Sequence, residues 1–326
     1  MTRVAIIGAG NNAEGHARSF VQIEGVEVVG VADAALERAE ALAATAGGRA
    51  FADHRQLLDD CQPEAVWICT PCWLHAEQSV DCARAGAHVM CEKPMALNLA
   101  DCDRMIAAAK ENGVKLMVGQ TTRYMPALVE LKRRFERGDF GRLVNAWSTR
   151  QSYFAGGADS WRFDGEKSGG IVMEWEIHEI DFVRSIGGAV SRVYARTDFS
   201  RPEHPSFLDH FSALLSFGGG GYGNLEASQS CLIGQGGRGL VGTEGAAEAL
   251  GAQRYRLRTA GGDTVEEVEL DAGQGMRLVP NRQFVEAIRA DAPSPVSGED
   301  ARHNIEIGLA IVRSGETGQV VDLPLE

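Results

Sequence analysis

The segment Gly8-Ala9-Gly10-Asn11-Asn12-Ala13 constrains this chain more than any other. It follows a β-branched run at residues 3–7 and leads into helical spacing at residues 12–22. The first glycine permits a tight turn and the second lets the backbone approach a pyrophosphate. The small Ala13 lets helix and strand pack closely, and the helix N-terminus attracts negative charge. Asp33 ends the next strand-like run (26–32), 20 residues after Ala13, where a carboxylate grips ribose hydroxyls. The pattern predicts a dinucleotide site built from Gly8, Gly10, Asn11, Asn12, Ala13 and Asp33. The alternative is that the glycines only turn the chain and Asp33 caps a helix; the strand before and the helix after weigh against it. A carboxylate at Asp33 would repel a 2′-phosphate, and Ala34-Ala35 bring no cation directly after it. NAD is therefore favoured over NADP, although Arg38 lies close enough in sequence to swing in.

Beyond the fingerprint, helical stretches at 36–45, 55–60, 75–85 and 99–112 alternate with short apolar runs at 49–52, 65–70, 88–91 and 115–118. Strands written as continuous apolar runs between helices predict a parallel sheet covered on both faces. This dinucleotide-binding domain is expected over residues 1–119. From residue 120 the pattern changes. An amphipathic helix is expected at 126–137, a strand at 144–152 and a helix at 171–186. Strand-like runs follow at 190–197, 210–217, 223–230, 239–243, 247–252, 255–259 and 264–269, and helices at 282–290 and 301–314 close the chain. Gly218-Gly219-Gly220-Gly221 and Gly261-Gly262 read as hairpin loops. No helix and no Lys-Ser/Thr follows the first of these, as a phosphate cradle would require. Residues 120–326 are expected to form an α+β domain with a mostly antiparallel sheet, so the fold class is α/β in two parts.

Composition excludes several classes. A chain of 326 residues exceeds one comfortable core, and 44% hydrophobic with 24% charged residues is not a disordered profile. No apolar run approaches the roughly 18 residues that span a bilayer. The apolar start of the chain is too short for a secretory signal, so a cytoplasmic location is expected. A net charge of −13 argues against a nucleic-acid binder. Six of the seven cysteines fall between Cys61 and Cys102, which fits buried thiols in a reducing compartment. Cys69-Thr70-Pro71-Cys72 does match Cys-x-x-Cys, yet no second pair follows at zinc spacing, and no metal site is expected.

The catalytic candidates sit where strands end. Cys91-Glu92-Lys93-Pro94 closes the fifth strand, at the carboxyl edge where open α/β sheets hold ligands. Beside a cationic nicotinamide a lysine loses its proton more readily, so Lys93 could exchange one with a substrate hydroxyl; the alternative is a polar strand exit. On helix 171–186, Glu174, His178, Asp181 and Ser185 (i, i+4, i+7, i+11) share one stripe, and apolar residues take most of the remaining circumference. A polar stripe on such a helix lines a cavity, where His178 could take a proton and a carboxylate could orient it. The competing readings are a core histidine satisfied by the acid one turn away, and a Glu174/His178 metal pair that lacks a third ligand. His75, in Thr70-Pro71-Cys72-Trp73-Leu74-His75, either abuts the cofactor or starts a helix. Gln120, Arg123 and Tyr124 follow the last strand of the first domain at the same edge. Trp161-Arg162 precede the buried helix, and the arginine could anchor hydroxyls or a carboxylate.

Together these residues resemble the Gfo/Idh/MocA family of oxidoreductases, relatives of glucose–fructose oxidoreductase and inositol dehydrogenases. The likeness runs nearly end to end. It covers the fingerprint at 8–13, Thr70-Pro71 with His75, Ala85-Gly86-Ala87-His88-Val89, and Glu92-Lys93-Pro94. It continues through Arg123-Tyr124 with Pro126, Trp161-Arg162, and Ser168-Gly169-Gly170 leading to His178 and Asp181. The resemblance implies a Rossmann domain and a C-terminal α+β domain whose large, open sheet mediates homodimers or homotetramers. It implies NAD held by the fingerprint, with Thr70, Pro71, His75, Glu92, Lys93 and Gln120 beside it. It also implies that Lys93 binds the substrate hydroxyl, that His178 accepts the proton, and that Glu174 positions substrate alongside Arg123, Tyr124, Trp161 and Arg162. The chain departs from the family's Asp-x-Gly-x-His, reading Glu174-Trp175-Glu176-Ile177-His178.

The leading expectation is an NAD-dependent dehydrogenase of a sugar, inositol or related polyol. A second is a glycosidase that uses NAD for transient oxidation and elimination; it would release sugar without net NADH. A third is a non-catalytic NAD sensor, which would bind the cofactor without turnover. No membrane or nucleic-acid partner is expected.

Overall fold

Short runs of Val, Ile and Ala without polar alternation must be covered on both faces, and the first strands of this protein are. The computed structural model describes residues 1–157, 159–271 and 275–325. By contacts the chain divides into two units, 1–121 with 274–303, and 122–273 with 304–326. The first unit runs β1 (Thr2–Ile7), α1 (Asn11–Phe20), β2 (Val26–Ala32), α2 (Leu36–Ala46), β3 (Arg49–Phe51), α3 (His54–Cys61) and β4 (Ala65–Ile68). It continues with α4 (His75–Arg84), β5 (His88–Cys91), α5 (Leu99–Glu111) and β6 (Leu116–Val118). The six strands are all parallel, in the order β3-β2-β1-β4-β5-β6. Val4, Ala5, Ile6 and the whole of β4 are fully buried. Strand order reverses between β1 and β4, which opens a crevice at their carboxyl ends.

The second unit begins at α6 (Pro126–Glu136), with proline in its first turn, where a missing N–H costs nothing. β7 (Leu143–Tyr153), α7 (Gly165–Ser168), α8 (Gly170–Glu174) and α9 (Ile177–Gly187) follow. Then come β8 (Val190–Asp198), β9 (His210–Phe217), β10 (Tyr222–Ser228), β11 (Ser230–Gly242), β12 (Gly245–Ala249), β13 (Arg254–Thr259) and β14 (Glu266–Glu269). The chain ends through α10 (Leu278–Arg289), α11 (Gly298–Thr317) and β15 (Val321–Asp322). The second sheet has the order β14-β13-β12-β11-β7-β10-β9-β8-β15 and is antiparallel except for the β7–β10 pair. Along β9, Phe211, Ala213, Leu215 and Phe217 are buried while the residues between them are not. α9 packs against β7 and β10. The opposite face exposes Tyr194, Leu214, Tyr222 and Val241. No helix among the described residues is long and apolar enough to cross a membrane.

Two differences from the sequence reading matter for the site. Residues 274–303 group with the first unit, whereas the reading assigned all of 120–326 to one C-terminal domain. α10 brings Phe284 edge-on to Trp67 of β4, with ring centroids 5.6 Å apart. An amphipathic pattern shows that a helix covers a sheet, but not which sheet. The second difference is at 171–186, where one continuous helix was expected. Trp175 N–H and Glu176 N–H both donate to the Ile171 carbonyl, at 3.1 and 3.0 Å. The second of these spans five residues, so an extra residue is looped out and α9 restarts after Glu176. The stripe Glu174, His178, Asp181 and Ser185 is therefore not continuous: Glu174 belongs to α8 and the other three to α9.

Candidate active site

The turn after β1 is shaped for an anion. Gly8 has φ +91°, and a Cβ there would lie 2.8 Å from the Cys69 carbonyl carbon and the Thr70 nitrogen. Only glycine fits that close approach of two loops. At Gly10 a Cβ would meet nothing within 4 Å, and no side chain caps α1. The first N–H groups of that helix point out unpaired by any cap, the arrangement that receives a phosphate. Asp33 is fixed by two backbone donors: Ala9 N–H to Oδ2 at 2.8 Å and Ala35 N–H to Oδ1 at 2.9 Å. A groove of about 800 Å³ runs past Ala9, Gly10, Asn11, Arg38, Leu42 and Thr45. These residues fit a dinucleotide, with an open space over the helix N-terminus and a carboxylate held beside it. Asn12 reaches the rim of the same turn, where its Oδ1 accepts from Arg277 at 3.1 Å.

Parallel topology brings the loops after β4, β5 and β6 to the same edge. His75 opens α4, and its buried ring joins two of those loops. Its Nε2 lies 2.9 Å from the Thr70 carbonyl and its Nδ1 2.8 Å from the Pro94 carbonyl. His75 thus starts a helix, and its ring ties together the loops after β4 and β5. Thr70 Oγ1 donates to Gln78 Oε1 at 2.6 Å. Gly119 N–H donates to the Cys91 carbonyl at 2.8 Å, tying the exit of β6 to that of β5 next to buried Gln120. Glu92 is buried and Lys93 half-buried, with a cis bond between Lys93 and Pro94. The Cys69 and Cys91 thiols are pushed well above the usual range by burial, which disfavours the thiolate that a redox pair needs. Among the described residues no cluster of three or more His, Cys, Asp or Glu is placed to hold a metal.

In the second unit the structure assembles the polar candidates into pairs. Arg162 Nε donates to Glu174 Oε1 at 2.8 Å, and its guanidinium lies 4.4 Å over the Trp161 ring. Trp161, Arg162 and Glu174 are therefore one group. Arg123 Nε donates to Asp181 Oδ2 at 2.7 Å, and Arg123 Nη2 donates to Oδ1 of the same carboxylate. Asn304 Nδ2 also donates to Asp181 Oδ1, at 2.7 Å. A fully buried carboxylate thus holds the Arg123 fork. Burial raises the neighbouring Tyr124 phenol to about 12, against the opposing pull of Arg123, so it stays a neutral hydrogen-bonding group. His178 lies half-buried in the first turn of α9.

Several polar residues escaped the sequence reading. Glu179, fully buried, accepts from Ser148 Oγ at 2.7 Å and from both arms of Arg238. Burial pushes its carboxyl up, but Arg238 and Ser148 outweigh that and the net shift is down. Glu176, which the sequence marked only as a departure from the family pattern, is buried as well and lies 3.8 Å from Arg150 Nη1. His16 lies 2.9 Å from Glu92 on one side and 2.9 Å from Asn281 on the other. The only signal for His16 was its helical spacing from Ala13 and Phe20, three back and four ahead, on the buried face of α1.

Comparison with known proteins agrees with this arrangement. Residues 2–120 match the family described as "Oxidoreductase family, NAD-binding Rossmann fold", and residues 128–248 match the "GFO/IDH/MocA C-terminal domain". The chain is 28% identical over 332 residues to the myo-inositol 2-dehydrogenase of Thermotoga maritima, covering 98% of each chain. It is 28% identical over 343 residues to the scyllo-inositol 2-dehydrogenase (NAD(+)) of Bacillus subtilis, covering 99% of this chain and 97% of that one. A solved levoglucosan dehydrogenase, in complex with NADH and levoglucosan, superposes with a TM-score of 0.92 at 24% identity, over 99% of this chain and 100% of that one. With both halves matched in order, an NAD-binding Rossmann domain followed by its partner C-terminal domain, the chain belongs to the Gfo/Idh/MocA family of oxidoreductases.

Proposed function

We propose that this protein is an NAD-dependent dehydrogenase that oxidises one hydroxyl of an inositol, sugar or related polyol, with Lys93 and His178 handling the proton. The observation that carries this reading is the meeting of the Gly8, Thr70 and Lys93 loops at one carboxyl edge, stapled by His75. The inositol dehydrogenases at 28% identity support the substrate class. NAD, when bound, supplies the hydride acceptor. Lys93 donates a hydrogen bond to the substrate oxygen and steadies charge that develops there, while His178 takes the hydroxyl proton. Asp181 holds Arg123 in place, and Arg162 holds Glu174; these two pairs position the remaining hydroxyls. Asp33, fixed by two amides, favours NAD over NADP. We also infer that copies of the chain associate through the exposed face of the second sheet, and that the protein works in a reducing cytosol with its cysteines free.

The test is a panel of inositols, sugars and glycosides assayed with NAD and with NADP at the reduced-nicotinamide absorbance band. Stoichiometric NADH with a polyol is the expected result; sugar release without net NADH would point to a glycosidase. Lys93→Met and His178→Ala should each lower kcat about 10²- to 10⁴-fold. Unchanged turnover in a correctly folded Lys93→Met protein overturns the assignment.

A further inference from the structure

Under the active-site edge of the first unit lies a buried polar chain that the proposed reaction does not use. Trp67 Nε1 lies 2.9 Å from Asn281 Oδ1, and an indole N–H can only donate, so the carboxamide oxygen faces it. The other end of that amide donates to Ser19 Oγ, whose own proton goes to the His16 carbonyl at 2.7 Å. Asn281 Oδ1 is also 2.9 Å from His16 Nδ1. Two acceptors cannot bond, so Nδ1 carries a hydrogen. His16 Nε2, on the far side of the ring, lies 2.9 Å from Glu92 Oε1. One proton is shared across that contact, as imidazolium with carboxylate or as imidazole with carboxylic acid, and the pair is neutral either way. His16 is fully buried and Glu92 nearly so. The second oxygen, Glu92 Oε2, accepts the backbone N–H of Lys93 at 3.3 Å.

We propose that His16 is a positioning residue for Lys93: by holding Glu92 through Nε2 it fixes the backbone from which the lysine projects and balances the buried charge beside it. This rests on the reading of Lys93 as a proton-handling group. The path begins on α1, the helix whose N-terminus faces the pyrophosphate position, and ends on the strand exit that carries Lys93.

Two near-isosteric substitutions separate this role from simple packing. In His16→Gln the amide nitrogen stands near the place of Nε2 and keeps a donor to Glu92. In His16→Asn it stands near the place of Nδ1, and the donor from position 16 to Glu92 Oε1 is lost. The proposal expects His16→Gln to keep kcat within about threefold and an unchanged pH profile. His16→Asn should lower kcat about 10- to 100-fold and move the limb of the profile that Lys93 controls. NAD affinity by fluorescence titration should stay the same in both, and their melting temperatures should be similar. Glu92→Gln combined with His16→Asn should be no worse than Glu92→Gln alone, because the histidine acts through that carboxylate. Equal kcat losses in the two His16 variants, tracking their melting temperatures, overturn the proposal and leave a structural role. If Lys93→Met itself turns over normally, the reading of Lys93 has failed and this inference with it; if Lys93→Met is inactive while His16→Asn keeps its kcat and profile, only the inference has failed. Should His16→Asn not fold, the same comparison is made with Glu92→Gln, whose kcat and pH profile must then change with no matching fall in melting temperature; an unchanged kcat and profile overturns the proposal.

Discussion

Gly8 and Gly10, two positions apart in the phosphate turn, do different jobs, and substitution separates them. Gly8→Ala puts a Cβ 2.8 Å from the backbone of the Cys69–Thr70 loop in a left-handed conformation. It is expected to lower the melting temperature and to weaken NAD binding together. At Gly10 the backbone is extended, with φ −84°, and the space around a Cβ is open. Gly10→Ala should therefore melt like the parent yet bind NAD at least about tenfold more weakly, because the added methyl occupies the approach of the pyrophosphate. Parallel melting curves and NAD titrations check both, and unchanged affinity in Gly10→Ala would remove the cofactor from this turn. Such residues were legible in the sequence because a glycine fingerprint encodes a local backbone shape. Asp33 was legible for the same reason, since it ends the adjacent strand. His16 was not, because its partners Glu92 and Asn281 lie 76 and 265 residues away in the chain.

At the scale of elements, α9 shows how a pattern can be read correctly in composition and wrongly in register. Its apolar circumference is buried, as expected. The extra residue at Trp175–Glu176, however, shifts every position before it relative to those after. Trp175 is drawn into an aromatic cluster with Phe154 and Phe207, at 5.1 and 5.7 Å between ring centroids. Helical periodicity carries no mark of that pull. α9 is also anchored to the second sheet by Glu179, whose carboxyl Arg238 holds below its ordinary value. A depressed folded pKa means that this contribution is complete above the unfolded value, about 4.3, and is lost as pH falls through the folded one. Glu179→Gln should cost about 3 kcal/mol near neutral pH, since it leaves Arg238 without its counter-charge. The gap to the parent, measured by urea denaturation across a pH series, should narrow as the solution is acidified below that unfolded value. A gap that stays constant would show that the ion pair contributes nothing pH-dependent.

For the molecule as a whole, the second sheet has one face packed beneath α9 and another that exposes Tyr194 opposite Leu214 on the neighbouring strand. Leu214→Glu places a charge there without disturbing the buried row Ala213 and Leu215. It should lower the assembled fraction in sedimentation velocity by at least about tenfold in association constant, while leaving the melting curve of the dissociated chain unchanged. An unaltered distribution would locate any association elsewhere. Strand–helix alternation and the fingerprint were enough to predict the first sheet and its parallel sense, because each strand–helix unit is local in sequence. The return of α10 to that first sheet, the parallel β7–β10 pair and the buried His16–Glu92–Asn281 chain came only with the fold. These features depend on which distant surfaces meet, and hydrophobic patterning records that a surface is covered without recording by what.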